Sequence, residues 1–83
     1  MAIESRLRNL TIEQRQGNFV KQQRLDRGLS QTVVANWIRH NTQAKNIYQR
    51  RLSDIENGAE MKLNEAFAIA ECFDFDINLL IQD

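Results

Sequence analysis

Residues 49–57 read Gln-Arg-Arg-Leu-Ser-Asp-Ile-Glu-Asn, and their polar members carry the hydrogen-bonding groups that base edges demand. A glutamine amide sets a donor beside an acceptor, the pattern adenine matches in the major groove. An arginine fork matches the O6 and N7 of guanine, and each good pair discriminates by about 1–3 kcal/mol. At 100° per residue, a helix over 48–57 places Tyr48, Leu52 and Ile55 on one side and Arg50, Ser53, Asp54 and Asn57 on the other. Gln49 falls at the flank nearest the helix start, and Arg51 at the other flank. Any exposed helix face carries residues of these kinds, so this face alone leaves a merely solvated surface as the alternative.

Other chemistry is sparsely represented. One cysteine, Cys72, and one histidine, His40, supply neither a disulfide framework nor a metal cluster. No nucleophile–base pair or paired carboxylate site is evident, so the reading is non-enzymatic, with no cofactor and no metal. Cys72 reads as a small core or near-core residue and His40 as a surface residue. Trp37 continues an apolar stripe and reads as packing rather than as a base-stacking platform.

The elements that must position the 49–57 face are helical, because Leu, Ile, Val and Phe recur at spacings of three and four. Residues 2–10 form a weak first segment with Ile3, Leu7 and Leu10 on one face, and Thr11 with Gln14 makes a possible capping box. A firmer helix is expected from Asn18 to Arg27, burying Phe19, Val20 and Gln23 or Arg24, and ending at Gly28. Ser30 caps the next, whose stripe is Val33, Val34, Trp37 and Ile38. The stretch 39–46 either prolongs that helix or forms a loop. A helix over 48–57 closes at Gly58. Leu63–Phe73 follows, with Leu63, Ala66, Phe67, Ile69, Ala70 and Phe73 expected inside. A short last helix follows Asp76, with Ile77, Leu80 and Ile81 apolar.

With 83 residues, the chain is one small domain near the lower limit for a self-sufficient core. A homodimer is therefore expected, with Ile77, Leu80 and Ile81 as its contact. The net charge of zero conceals an asymmetry: residues 1–51 hold ten Lys or Arg against three acids, and residues 52–83 hold one Lys against eight acids. Such a split suits a basic contact surface for nucleic acid. No apolar run approaches the roughly 20 residues of a membrane span, and neither a leader pattern nor paired cysteines are present, so the expectation is a cytoplasmic protein without membrane contact.

Gly28-Leu29-Ser30-Gln31, Val34-Ala35 and Leu52-Ser53-Asp54-Ile55-Glu56-Asn57-Gly58, in that order, resemble the Cro-like (XRE) helix-turn-helix family of phage and bacterial regulators. Val20 and Arg24 match the family's first helix, and Ala66 to Leu80 its last two, which implies core positions for Ala70, Phe73, Phe75, Ile77 and Leu80. The likeness runs from Gly17 to Leu80. It implies an all-α, five-helix, lambda-repressor-like DNA-binding domain over 17–83, with residues 1–16 as an N-terminal extension carrying an extra helix. It also implies roles. Gln49, Arg50, Ser53 and Asp54 would face bases, Gln31 and Arg51 would contact the DNA backbone, and Arg24 with Glu56 would form a buried structural ion pair.

The chain departs from the family pattern between Ile38 and Leu52, where it is about seven residues longer, and this lengthening makes Arg39 and Lys45 further backbone-contact candidates. After Gly58, Ala59-Glu60-Met61 lacks the basic residues common there. Asp74 stands at a tight turn where glycine is usual; Asp tolerates the left-handed region better than most residues. Arg6, Arg8 and Arg15 are either a minor-groove arm or part of a solvated helix. The function expected is a homodimeric transcriptional regulator, a repressor or autoregulator, on an inverted repeat with half-sites roughly 34–36 Å apart. The alternatives are a protein-binding module, such as an antitoxin or an antagonist of a partner protein, and a controller of restriction–modification genes.

Overall fold

The computed structural model describes residues 10–81, and side chains as far as Leu80. It is all-helical over that span: α1 (Ile12–Asp26), α2 (Gln31–Asn41), α3 (Gln49–Glu56), α4 (Leu63–Phe73) and α5 (Asn78–Ile81). The expected segment at 2–10, with Arg6 and Arg8, lies outside the described residues except for Leu10.

The expected firm helix begins earlier than Asn18. Thr11 opens α1 with a capping box: its side chain accepts the Gln14 N–H at 3.1 Å while Gln14 Oε1 accepts the Thr11 N–H at 2.9 Å. From there the helix runs unbroken through Gly17, so a boundary between 16 and 17 would cut a single element. The reason is tertiary. Gly17 is buried, and a Cβ on it would stand 2.3 Å from the Ile55 carbonyl oxygen and 2.9 Å from that of Glu56. Glycine lets α1 lie directly on the C-terminal end of α3, and Val20 and Arg24, one and two turns on, continue the same buried face.

Helix α1 ends at Gly28, whose φ of +65° favours a residue without a Cβ. Its closing bonds are Leu29 N–H to the Arg24 carbonyl (3.2 Å) and Gly28 N–H to the Leu25 carbonyl (3.0 Å). Ser30 then caps α2 through the Val33 N–H at 3.1 Å. Helix α3 ends with the same pair of bonds, from Ala59 to Asp54 and from Gly58 to Ile55. Asp74 closes α4 at φ 54°, ψ 52°, in the left-handed region.

Seven residues, 42–48, separate α2 from α3, so the open question at 39–46 resolves as a helix to Asn41 followed by an ordered loop. Its anchors are Thr42, Ala44 and Ile47, all buried. The Thr42 hydroxyl donates to the Ile38 carbonyl and accepts the Ala44 N–H, which turns the chain out of the helix.

Val20, Val34, Ile38, Ile47, Leu52, Ile55, Ile69, Phe73 and Leu80 form the fully enclosed core. Phe19 packs edge-on to Phe75 (5.1 Å, 84°), and Arg27 donates to the Phe73 carbonyl at 2.9 Å, tying α1 to the end of α4. Two expectations change here. Leu63 and Phe67 point outward, at 68% and 52% exposure, because α4 turns Glu65, Ala66, Ala68, Ile69, Ala70 and Phe73 inward. Leu80 is 1% exposed within its own chain, so its expected place in a dimer contact is corrected to the core. Ile77 is half-buried against that core, and the Ile81 side chain lies outside the described ones. Leu79, beside Leu80 on α5, is exposed. None of the described helices is long and apolar enough to cross a membrane.

Candidate nucleic-acid interface

Helix α3 packs Leu52, Ile55 and Glu56 inward and turns Gln49, Arg50 and Asp54 outward, with Ser53 half-buried between them. Tyr48 is not part of the inward face. It is the N-cap residue of α3, contributes no side-chain capping bond, and stays 59% exposed. Its extended backbone, φ −102° and ψ 174°, turns the side chain out just before the helix begins.

A hydrogen-bonded chain runs from the core to this face. Arg24 donates twice to Glu56, Nε to Oε2 at 2.7 Å and Nη2 to Oε1 at 2.9 Å, and its Nη1 donates to the Leu29 carbonyl at 2.8 Å. This fork joins α1, the α1–α2 turn and the end of α3, and the bonds to Glu56 hold the Arg24 guanidinium above its ordinary pKa. Gln31 Nε2 donates to the same carboxylate at 3.0 Å, and Gln49 Nε2 donates to Gln31 Oε1 at 2.6 Å.

The polarity of this relay follows from chemistry. An ionised carboxylate only accepts, so Gln31 must present its NH₂ to Glu56 and its oxygen to Gln49, and Gln49 must answer with an N–H. Gln49 is left with one N–H and its carbonyl oxygen, side by side. Those are the two groups that adenine N7 and N6–H₂ match. The Gln31 amide, expected at a phosphate, also links Glu56 to Gln49, and the second N–H of its Nε2 is not used in that link.

Arg50, next along, has a side chain 89% exposed and lies 3.6 Å from Asp54 in an i,i+4 pair too solvated to hold it. Asn57 Nδ2 donates to the Ser53 carbonyl at 2.9 Å. Arg51, in contrast, is drawn away. It grips Glu65 with two bonds (2.8 and 2.7 Å) and donates to the Glu60 carbonyl at 2.8 Å. Its expected backbone contact is therefore corrected: it is a strut between α3 and α4. Burial pushes the Glu65 carboxyl up, but the bond from Arg51, the Lys62 N–H at 2.8 Å and the charges of Arg51 and Lys62 together bring it below its ordinary value.

Arg39 is likewise engaged within the fold, donating to the Ile47 carbonyl at 2.8 Å and to Asn36 Oδ1, with its guanidinium 4.0 Å from the centre of the Tyr48 ring. It braces the 42–48 loop rather than standing free for a phosphate. Lys45 Nζ donates to the Arg39 carbonyl at 2.7 Å, on an exposed side chain at the loop's outer edge.

Beside the relay, Lys21, Arg24, Ser30, Gln31, Glu56 and Asn57 line an open cleft of about 380 Å³ at the start of α2. Helix geometry leaves the Gln31 and Thr32 N–H groups without partners in α2's own ladder, and the dipole there favours an anion. Lys21 was not among the residues singled out from sequence. It enters only because α1 brings it to the cleft at the start of α2, and nothing in its local pattern separates it from other surface lysines.

Elsewhere, His40 is exposed with Nδ1 2.7 Å from the Asn36 carbonyl oxygen, and Trp37 is only partly covered. Cys72 is half-buried, and burial raises its thiol pKa, which disfavours the nucleophilic thiolate. Comparison of the chain with models of protein families, with curated proteins and with solved structures yields no match.

Proposed function

We propose that α2 and α3 act as a lengthened helix-turn-helix in a lambda-repressor-like domain, and that the protein binds double-stranded DNA sequence-specifically as a homodimeric transcriptional regulator, a repressor or autoregulator. The observation that carries this reading is the Arg24–Glu56–Gln31–Gln49 relay. It roots the orientation of a surface amide in a buried ion pair, an arrangement with no evident use unless that amide must meet a partner of fixed geometry. Gln49 reads adenine, Arg50 reads the neighbouring guanine, and Ser53 and Asp54 meet the next base pair. Lys21, Lys45 and the N-terminal end of α2 face phosphates. The test is selection of duplexes from a random pool, followed by anisotropy titration of the enriched site and of random DNA at two salt concentrations. Enrichment of an inverted repeat supports the reading; binding indifferent to sequence refutes it.

The exposed pair Leu63 and Phe67, one turn apart on α4, favours a second reading, a protein-binding module of the antitoxin or antagonist kind. A controller of restriction–modification genes would differ from the first reading only in its target.

A further inference from the structure

The 42–48 loop presents one exposed aromatic side chain that the base-reading face does not explain. Tyr48 is more than half exposed, although Ile47 before it is fully buried and α3 starts immediately after it. One face of its ring is covered by the Arg39 guanidinium at 4.0 Å. Arg39 is itself tied to the Ile47 carbonyl and to Asn36, and Lys45 holds the Arg39 carbonyl. Four residues thus hold an exposed aromatic ring in place at the position that precedes Gln49 in the chain. Cation–π contact of this kind favours one placement of the ring while leaving its edge available.

In duplex DNA the base faces are stacked on one another and closed to such a ring. The apolar group that the major groove does display is the thymine C5-methyl. We propose that Tyr48 is a specificity-determining residue that packs against a thymine methyl adjoining the base pair read by Gln49, with Arg39 as its positioning residue. This inference rests on the DNA-binding reading above and adds to it a thymine at one fixed position in each half-site.

The experiment uses the duplex enriched from the random pool, with each thymine replaced in turn by deoxyuridine, which lacks only the methyl, in both half-sites together. Wild-type protein is expected to bind about ten- to twentyfold more weakly at one such position, the effect of losing a buried methyl twice. The Tyr48→Ala variant loses that sensitivity at the same position, and Tyr48→Phe, which keeps the ring, retains it. Deoxyuridine tolerated at every position by the wild type, or equal sensitivity in wild type and Tyr48→Ala, overturns the thymine contact while leaving sequence-specific binding in place. Failure to enrich any duplex overturns both together.

Discussion

Replacing Arg24 by Met leaves Glu56, with a side chain 2% exposed, holding a buried charge whose one remaining hydrogen bond comes from Gln31. Removal of one partner from such a pair costs about 3–5 kcal/mol, because the other charge stays desolvated. A domain of 83 residues is stable by only about 4–12 kcal/mol in total. With a urea slope near 1 kcal/mol per M, the denaturation midpoint should fall by about 3 M or more, and the variant should be largely unfolded if the wild type sits at the low end. Glu56→Met strands Arg24 in the same way, although the Leu29 carbonyl still accepts one of its bonds.

The double variant Arg24→Met/Glu56→Met removes both charges, and a well-packed apolar replacement is often neutral or stabilising. It should recover most of the lost stability, so the double-mutant cycle yields a large favourable coupling. Its surface function should not recover. Without the carboxylate, Gln31 has no acceptor to fix its amide, and Gln49 loses its imposed orientation. The folded double variant should keep salt-dependent affinity for DNA but lose preference for adenine at one position. A single variant costing under 1 kcal/mol would refute the buried-pair argument. A folded double variant with intact adenine preference would refute the relay.

Gly17→Ala should destabilise by more than about 1–3 kcal/mol in thermal denaturation, since its Cβ meets the backbone carbonyls of Ile55 and Glu56, which cannot swing aside. Gly28→Ala, at φ +65° with open space around it, should cost only about 1–2 kcal/mol, so reversal of the two ranks would count against the described packing. The Glu65 pKa is depressed in the folded state, so its stabilisation is present above the ordinary carboxylate range and is lost as pH falls through the lower folded value. Glu65→Gln should therefore flatten the acid limb of the stability–pH curve below about pH 4.5 while lowering stability at neutral pH. Lys21→Ala should weaken binding to all duplexes alike and reduce the salt slope by about one unit per subunit, whereas Arg50→Ala should relax preference at a single base pair.

Local signals made much of this architecture legible. Thr11 with Gln14, Ser30, and the glycines at 28 and 58 mark helix ends by short-range hydrogen bonding, and all four act there. What escaped is what depends on partners distant in sequence. Gly17 looks like a helix breaker until α3 is laid against it. Ile47 is isolated among Lys45, Asn46 and Tyr48, so no periodicity announces that it is fully buried. Arg39 and Arg51 carry the same side chain as Arg50. Only the positions of the Tyr48 ring and of Glu65 turn two of them into braces and leave the third exposed. Leu80 turns into the core rather than toward a partner subunit, and Phe67 turns outward because the phase of α4 points Glu65 to Arg51 and the Lys62 N–H.

The most direct test of the central claim is a titration of the enriched duplex, its single-base variants and random DNA with wild-type protein and Gln49→Ala. Tight wild-type binding to the enriched duplex, with an adenine preference at one position per half-site that vanishes in Gln49→Ala while the other positions hold, is the predicted result. Equal affinity of the wild type for enriched and random duplexes, or a uniform loss across all variants on substitution of Gln49, would contradict it.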